Sequence, residues 1–121
     1  MTTVTICVES RDAMKAKFVA AMKGEAQGQF ITFQSTSDLF RTMTPLRWEL
    51  IAAMTGAGAM SIRELARRLD REQEQVHEDV RALLNVGVLD HAENEAVVFP
   101  YDVVHVDFTI EPKHVEEYRH R

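Results

Sequence analysis

Length, composition and charge fit one small domain and exclude several kinds of protein. The chain has 121 residues, 45% of them hydrophobic, which is enough for a single core. It contains no apolar run of transmembrane length, and its start lacks the basic segment and long apolar stretch of a secretory signal. The single cysteine, Cys7, cannot form an intrachain disulfide or, alone, a zinc site, so we interpret it as a buried structural residue. We therefore expect a cytoplasmic protein without membrane contact.

The charged residues are distributed unevenly. The net charge is −5, and residues 41–91 carry seven basic and eight acidic residues, whereas residues 92–121 carry three and seven. All seven basic residues of the middle segment are arginines, whose guanidinium forks suit phosphate and guanine. The acidic region from Glu93 to Glu117 is either a solvated surface or a dock for a basic partner.

The N-terminal part shows the pattern of a strand, a helix, a second strand and a short helix. Apolar residues alternate in the first strand, recur at helical spacing in the helix and form a short run in the second strand, at residues 3–8, 11–23 and 30–33. Ser35 to Asp38 can cap a brief helix that reaches Met43. Because no chemical motif occurs here, we interpret residues 1–43 as an extension for packing or dimerisation.

A longer helix is predicted to begin after Thr44. Thr44 can cap it, and Pro45 is preorganised for its first position. Its apolar stripe contains Leu50, Ile51 and Met54. Trp48 lies off this stripe, so we expect it to anchor the N-terminal segment to the helix.

Two further helices follow after a turn at Gly56 to Gly58. Ser61 and Glu64 have the spacing of a capping box, in which Glu64 reaches back to the cap. Asp70 is predicted to cap a third helix that runs to about Asn85. The predicted buried positions of the third helix are Val76, Val80, Leu83 and Leu84.

A hairpin and a strand complete the pattern. Residues 88–91 and 96–99 flank a short turn, and the turn region carries neither lysine nor arginine. We therefore expect a hairpin that is short or turned toward a partner. Apolar residues alternate again over residues 104–110, which predicts a half-buried strand before Pro112 ends it.

The order of the elements over residues 44–100 is that of a winged helix-turn-helix. The predicted fold class is α+β, a winged helix-turn-helix with an N-terminal strand-helix extension and a C-terminal strand with an acidic tail (residues 101–121). In such a module the longer helix enters the major groove, the second helix braces it, and the hairpin reaches neighbouring phosphates or the minor groove. The pattern therefore predicts DNA binding.

Four segments carry a resemblance to a known group. Over roughly residues 36–110 the chain resembles the small MarR-like winged helix-turn-helix DNA-binding proteins of bacteria and archaea, in TPLRWEL (44–50), SIRELARRL (61–69), VHEDVRAL (76–83) and FPYD (99–102). Several proteins of that group are antitoxins. The resemblance implies a transcriptional regulator that represses its own operon and neutralises a partner toxin from a neighbouring gene.

Seven side chains are the candidate DNA-binding residues. Gln75, on the outward face of the third helix, can bond adenine through its amide, and Arg71 can contact guanine or phosphate. The arginines of the second helix would contact phosphates, and so could Ser61 besides capping. Glu74 and Glu78 share the outward face and would repel phosphate. The complete predicted set is Ser61, Arg63, Arg67, Arg68, Arg71, Gln75 and Arg81.

The residues do not predict an enzyme, a cofactor or a metal site. The histidines lack ligand spacing, the Gly-x-Ser-x-Gly motif is missing, and the glycines at Gly56 and Gly58 make a turn between helices. His77, beside the apolar stripe of the third helix, is interpreted as a packing or capping residue.

Two functions remain open at this point. The first is a homodimeric regulator on a palindromic operator, with the strands at residues 3–8 and 104–110 as dimerisation elements. The second is a winged helix that binds only protein, supported by the negative charge, the acidic hairpin and the glutamates of the third helix. Because the last strand could add to a partner's sheet, deleting residues 101–121 is expected to abolish toxin binding or dimerisation.

Overall fold

The computed structural model of the protein describes residues 1–8 and 29–110. The helix predicted at residues 11–23 and the acidic tail from residue 111 lie outside this part. The described residues form a small α+β protein, which confirms the α+β class. In chain order its elements are β1 (Thr3–Val8), β2 (Gln29–Phe33), α1 (Thr36–Thr42), α2 (Pro45–Met54), α3 (Ile62–Leu69), α4 (Gln73–Asn85), β3 (Asp90–His91), β4 (Val97–Val98) and β5 (Val103–Asp107).

Strands from both ends of the chain pair in one parallel sheet. The order of the described strands is β2-β1-β5, and Ile6 of β1 lies opposite Ile31 and Val106. Val4 and Ile6 are fully buried, and Cys7 is buried as predicted. The terminal strands therefore pair with each other within the chain, whereas they were expected to be extra elements available to a second copy.

The last strand is shorter than its alternating pattern predicts. It ends at Asp107, which lies opposite Cys7 of β1. Phe108 instead packs edge-on against Phe40, with ring centroids 5.5 Å apart. The predicted extension to residue 110 is therefore wrong.

The starts of the first two described helices follow their capping residues. The Ser35 hydroxyl accepts a hydrogen bond from the backbone N–H of Asp38 at 3.0 Å, which begins α1. Thr44 does the same for Arg47 at 3.3 Å, and Pro45 is the first residue of α2. Both predicted starts are confirmed.

Trp48 lies beside the C-terminal strand, and the predicted N-terminal segment that it was expected to anchor lies partly outside the described residues. It lines a groove together with Val103, Val104 and Val106 of β5. The stripe of α2 that faces the core is the predicted one, because Leu50, Ile51 and Met54 are buried.

The turn between α3 and α4 also differs from the prediction. Asp70 has a positive φ of 53° and ends α3, donating its backbone N–H to the carbonyls of Ala66 and Arg67. It therefore cannot cap α4, which begins at Gln73 after Glu72 without a side-chain cap. The end of α4 at Asn85 is as predicted.

The hairpin is short, and the chain ahead of α3 extends it. β3 and β4 pair antiparallel, and Met60 exchanges two backbone hydrogen bonds of 2.9 Å with Val97. These bonds fix the start of α3 against the hairpin. One continuous core joins the sheet, the helices and the hairpin, since Ile6, Leu65 and Phe99 belong to the same buried cluster.

None of the helices that the structure describes is long and apolar enough to cross a membrane.

Candidate nucleic-acid interface

A polar cleft of about 690 Å³ lies between the start of α3, one face of α4 and the hairpin. The side chains around it are mainly hydrogen-bonding groups with a few apolar ones at the floor. They come from Ser61, Ile62, Arg63, Gln73, His77, Val80, Arg81, Leu84, Asn85, His91, Asn94, Glu95 and Val97. The cleft is therefore a surface on which a helix face and a hairpin are presented together.

Helix α4 supplies a polar stripe to this cleft. Gln73, His77, Arg81 and Asn85 are exposed and follow one another at intervals of four residues, which places them on one face. The predictions included only Arg81 of these four, and the role of His77 as a packing or capping residue is wrong. The four-residue spacing in the sequence is the signal that could have revealed the stripe.

Ser61 and Arg63 are brought to the cleft by the start of α3. The Ser61 hydroxyl accepts a hydrogen bond from the Glu64 backbone N–H at 3.1 Å, so the predicted cap is confirmed. The described hydrogen bonds to the Glu64 carboxylate come from arginine side chains. The predicted second bond of the capping box, from the Ser61 backbone N–H to Glu64, is not among them.

The hairpin adds His91, Asn94 and Glu95 to the opposite wall. Asn94 and Glu95 have positive φ angles of 59° and 63°, which tighten the turn and direct it toward α4. Asparagine tolerates this left-handed conformation better than most residues do. None of these three residues was among the predicted site residues.

The charge of the cleft comes mainly from two arginines. Among the described residues, Arg63 and Arg81 make no side-chain hydrogen bond or ion pair, and Glu95 is the acidic residue beside them. Their guanidinium groups are therefore available to an anion, and the cleft carries a local positive balance in a chain that is negative as a whole.

Arg67 and Arg68 are already engaged within α3. Both contact the Glu64 carboxylate, Arg67 at 2.6 Å and Arg68 at 2.7 Å. Hydrogen bonds from Arg67 and then Arg68 lower the pKa of the Glu64 carboxyl from 4.5 to about 2. These two predicted site residues lie outside the cleft, and their charges are largely offset by Glu64.

Arg71 is not on the outward face that was predicted for it. Its side chain is 13% exposed, and its Nη2 donates to Asp79 Oδ2 at 2.9 Å. Arg47 Nε donates to the other oxygen of Asp79, also at 2.9 Å, and its Nη1 donates to the Thr42 carbonyl. Arg71 therefore belongs to an internal ion cluster, because both guanidinium groups bind the Asp79 carboxylate.

Gln75 is exposed as predicted but lies apart from the cleft. It lines a second polar depression at the start of α4 together with Arg71 and the acidic Asp70 and Glu72, and Gln73 belongs to both this depression and the cleft. Ser61, Arg63 and Arg81 are thus together in the structure, whereas the other four predicted residues are elsewhere. The described residues contain no group of side chains that could hold a metal ion.

By these features the chain is a small α+β protein in which one polar face of a helix lies beside a short hairpin. Residues 42–106, more than half of the chain, match the model of the family HVO_A0114, so the protein belongs to that family. No curated protein and no solved structure matches it significantly.

Proposed function

We propose that this protein is a sequence-specific DNA-binding transcriptional regulator with a winged helix-turn-helix fold. One observation carries the proposal, namely the cleft in which the polar stripe of α4, with Arg81, lies beside Arg63 and faces the hairpin, while both guanidinium groups make no hydrogen bond or ion pair within the described part of the chain. In this reading α3 and α4 are the helix-turn-helix, α4 is the recognition helix, and β3 with β4 is the wing. The resemblance to MarR-like proteins supports the same assignment.

The positions along α4 suit different parts of a DNA duplex. The first residues of a recognition helix contact base edges, so Gln73 and His77 are the candidates for reading bases. Arg81 lies one turn further and can contact guanine or a phosphate, and Arg63 approaches the backbone from α3. The hairpin then contacts the neighbouring backbone through Asn94, because amide side chains can donate to phosphate oxygens.

The charge of the cleft provides the test. Fluorescence anisotropy of labelled upstream DNA should show binding that weakens as salt rises, because the protein displaces counterions. Replacing Arg63 and Arg81 by Gln should weaken binding and reduce the slope of log K against log salt by about 2, since each phosphate contact accounts for roughly 0.9.

Arg41 provides the matched control for this experiment. It is 77% exposed on α1, outside the cleft, so Arg41→Gln should leave both affinity and slope nearly unchanged. Equal losses in the control and in the double variant would contradict an interface at the cleft.

A second function from a different class is favoured by the acidic surface of α4. Glu74 and Glu78 are exposed, and Arg67, Arg68 and Arg71 are occupied by carboxylates of the same chain. These features suit a winged helix that binds only protein. Such a module would show no salt-sensitive DNA binding, yet it would form a complex with the product of a neighbouring gene.

The antitoxin role is part of the proposal and depends on the resemblance alone. It requires that the homodimeric regulator binds a toxin encoded beside it and represses their common operon. Adding the purified neighbouring product to the anisotropy experiment tests this role. An antitoxin should bind that product and change its own affinity for the operator as a result.

A further inference from the structure

We propose that the outer edge of β5 joins two copies of this chain by antiparallel pairing across a two-fold axis at His105. The sheet order places β5 at an edge, and no strand among the described residues pairs with its outer side. The resulting sheet would run β2-β1-β5-β5-β1-β2 through both copies. This pairing would be the interface of the homodimer in the proposed function, and the proposal rests on the existence of that homodimer.

The hydrogen-bonding groups of β5 determine the register. Val103 donates its backbone N–H to Thr2 on the β1 side, and successive residues of a strand alternate in direction. The N–H and C=O groups of Val104 and Val106 therefore point outward. A two-fold axis at His105 sets Val104 opposite Val106 of the other copy, so that four backbone hydrogen bonds form between the strands.

The side chains of this edge are complementary to themselves in that register. On one face, Val104 and Val106 meet Val106 and Val104 of the second copy. On the other face, His105 lies diagonally across from Asp107 of the second copy, and the reverse pair is formed by symmetry. An imidazole N–H can donate a hydrogen bond to a carboxylate across this diagonal, which favours a second copy over an unrelated strand.

An apolar groove lies along the same edge. It has a volume of about 460 Å³ and is lined mainly by Trp48, Ile51 and Ala52 of α2 and the valines of β5, with Thr55 and Asp102 as its polar residues. Asp102 already accepts a hydrogen bond from the Thr2 backbone N–H. Val103 and Val106 are 37% and 42% exposed, so apolar surface is left in water. A second copy covers it, because the two-fold axis brings both α2 helices to the same side of the joined sheet.

The edge also lacks the features that usually keep sheet edges apart. Strand β5 is regular over its five residues and contains neither lysine nor proline. Its only formally charged side chain at neutral pH is Asp107, at the end of the strand. In the two-fold register that charge has His105 of the other copy as a diagonal neighbour.

Sedimentation velocity on the full chain tests the interface without DNA. The wild type should sediment as a dimer, and Val106→Lys should raise the dissociation constant by about tenfold or more, because an unpaired ammonium would enter the groove. Val86→Lys is the matched control. Val86 is 50% exposed at the end of α4, away from the groove, so that variant should remain dimeric. A dimer unchanged by Val106→Lys, or a monomeric wild type, would overturn the proposal.

Cross-linking tests the register and does not depend on how well the lysine variant folds. Opposed residues that do not share hydrogen bonds have Cα atoms about 4.5 Å apart, within disulfide range, so His105→Cys should oxidise to a covalent dimer. Val103→Cys on the same face should not, since two copies of residue 103 would be about 13 Å apart. Wild type, whose Cys7 is buried, is the background control. Equal cross-linking of both variants, or of neither, would contradict the register.

The two experiments separate this interface from DNA binding. If the chain dimerises through β5 but binds DNA no differently when Arg63 and Arg81 are replaced, the dimer interface is supported and the proposed regulator function is not. Deleting residues 101–121 would not separate them, because β5 also pairs with β1 within the chain.

Discussion

Asp79 connects two parts of the chain through its two carboxylate oxygens. One carboxylate oxygen accepts from Arg47 near the start of α2, and the other accepts from Arg71 ahead of α4. The side chains are 22%, 15% and 13% exposed for Arg47, Asp79 and Arg71, so the charges are mostly removed from water. Their pairing holds the start of α4 against α2 and thereby orients the polar stripe.

Replacing Asp79 by Asn should destabilise the fold strongly. The variant leaves two largely buried guanidinium groups without a counter-charge, and breaking such a cluster costs about 3–5 kcal/mol in the free energy of unfolding. Urea denaturation followed by circular dichroism measures the loss. Glu78→Gln is the control, because its exposed neighbouring carboxylate should change stability by less than about 0.5 kcal/mol. Equal stability of the two variants would show that the ion cluster contributes little.

At the scale of the elements, Ser61 combines two tasks at the start of α3. Its hydroxyl oxygen accepts from the Glu64 N–H, and its exposed position at the cleft leaves the hydroxyl proton free to meet a phosphate. The two tasks require different chemistry at this position. Capping needs an oxygen that accepts a hydrogen bond from a backbone N–H, and a negatively charged oxygen serves as well. Phosphate binding needs a group that donates a hydrogen bond and carries no negative charge.

Two substitutions of Ser61 should therefore separate stability from DNA binding. Ser61→Ala removes the cap and should lower the free energy of unfolding by about 1 kcal/mol. Ser61→Asp retains a capping oxygen, so its stability should stay near that of the wild type, whereas its charge would repel a phosphate and weaken DNA binding. Thermal unfolding and anisotropy on the same samples measure both properties. A Ser61→Asp variant that binds DNA as tightly as wild type would limit Ser61 to the capping role.

The helices and their caps could be predicted from the sequence because the interactions involved are local. Ser35, Thr44 and Ser61 each bond a backbone N–H three residues on, and the buried stripe of α2 follows from its periodicity. The burial of Arg71 depends on Asp79, eight residues away, and on Arg47 from another helix. Sequence spacing alone does not identify such a tertiary pairing, so an arginine at the head of α4 looked available for DNA.

The sheet was harder to predict for a related reason. Alternation predicted β1 and β5 as strands, but their pairing joins residues about 100 positions apart, as in the hydrogen bond from the Thr2 N–H to Asp102. Local pattern gives no information on such long-range register. The two strands were therefore interpreted as separate extensions of the module.

At the scale of the whole molecule, the pairing of β1 with β5 joins a strand of the predicted N-terminal extension (residues 1–43) to a strand that follows the predicted central module (residues 44–100). The first and last described strands share one sheet, and Ile6 of that sheet belongs to the same buried cluster as Leu50 of α2. A disturbance in the central strand should therefore reach the helices.

Ile6→Ala tests whether sheet and helices unfold as one unit. Ile6 is fully buried, so the substitution should lower the free energy of unfolding by about 2–5 kcal/mol, while Thr3→Ala on the exposed start of β1 should change it by less than about 0.5 kcal/mol. Trp48 is the single tryptophan and lies on α2 beside β5, so its fluorescence reports the packing of this helix against the sheet, whereas far-ultraviolet circular dichroism reports all secondary structure. In one cooperative unit, both signals shift to the same lower urea midpoint at a fixed protein concentration. A fluorescence midpoint that falls while the dichroism midpoint stays in place would mean that the sheet separates from α2 before the helices unfold, and the position of α4 would then depend on α2 and α3 alone.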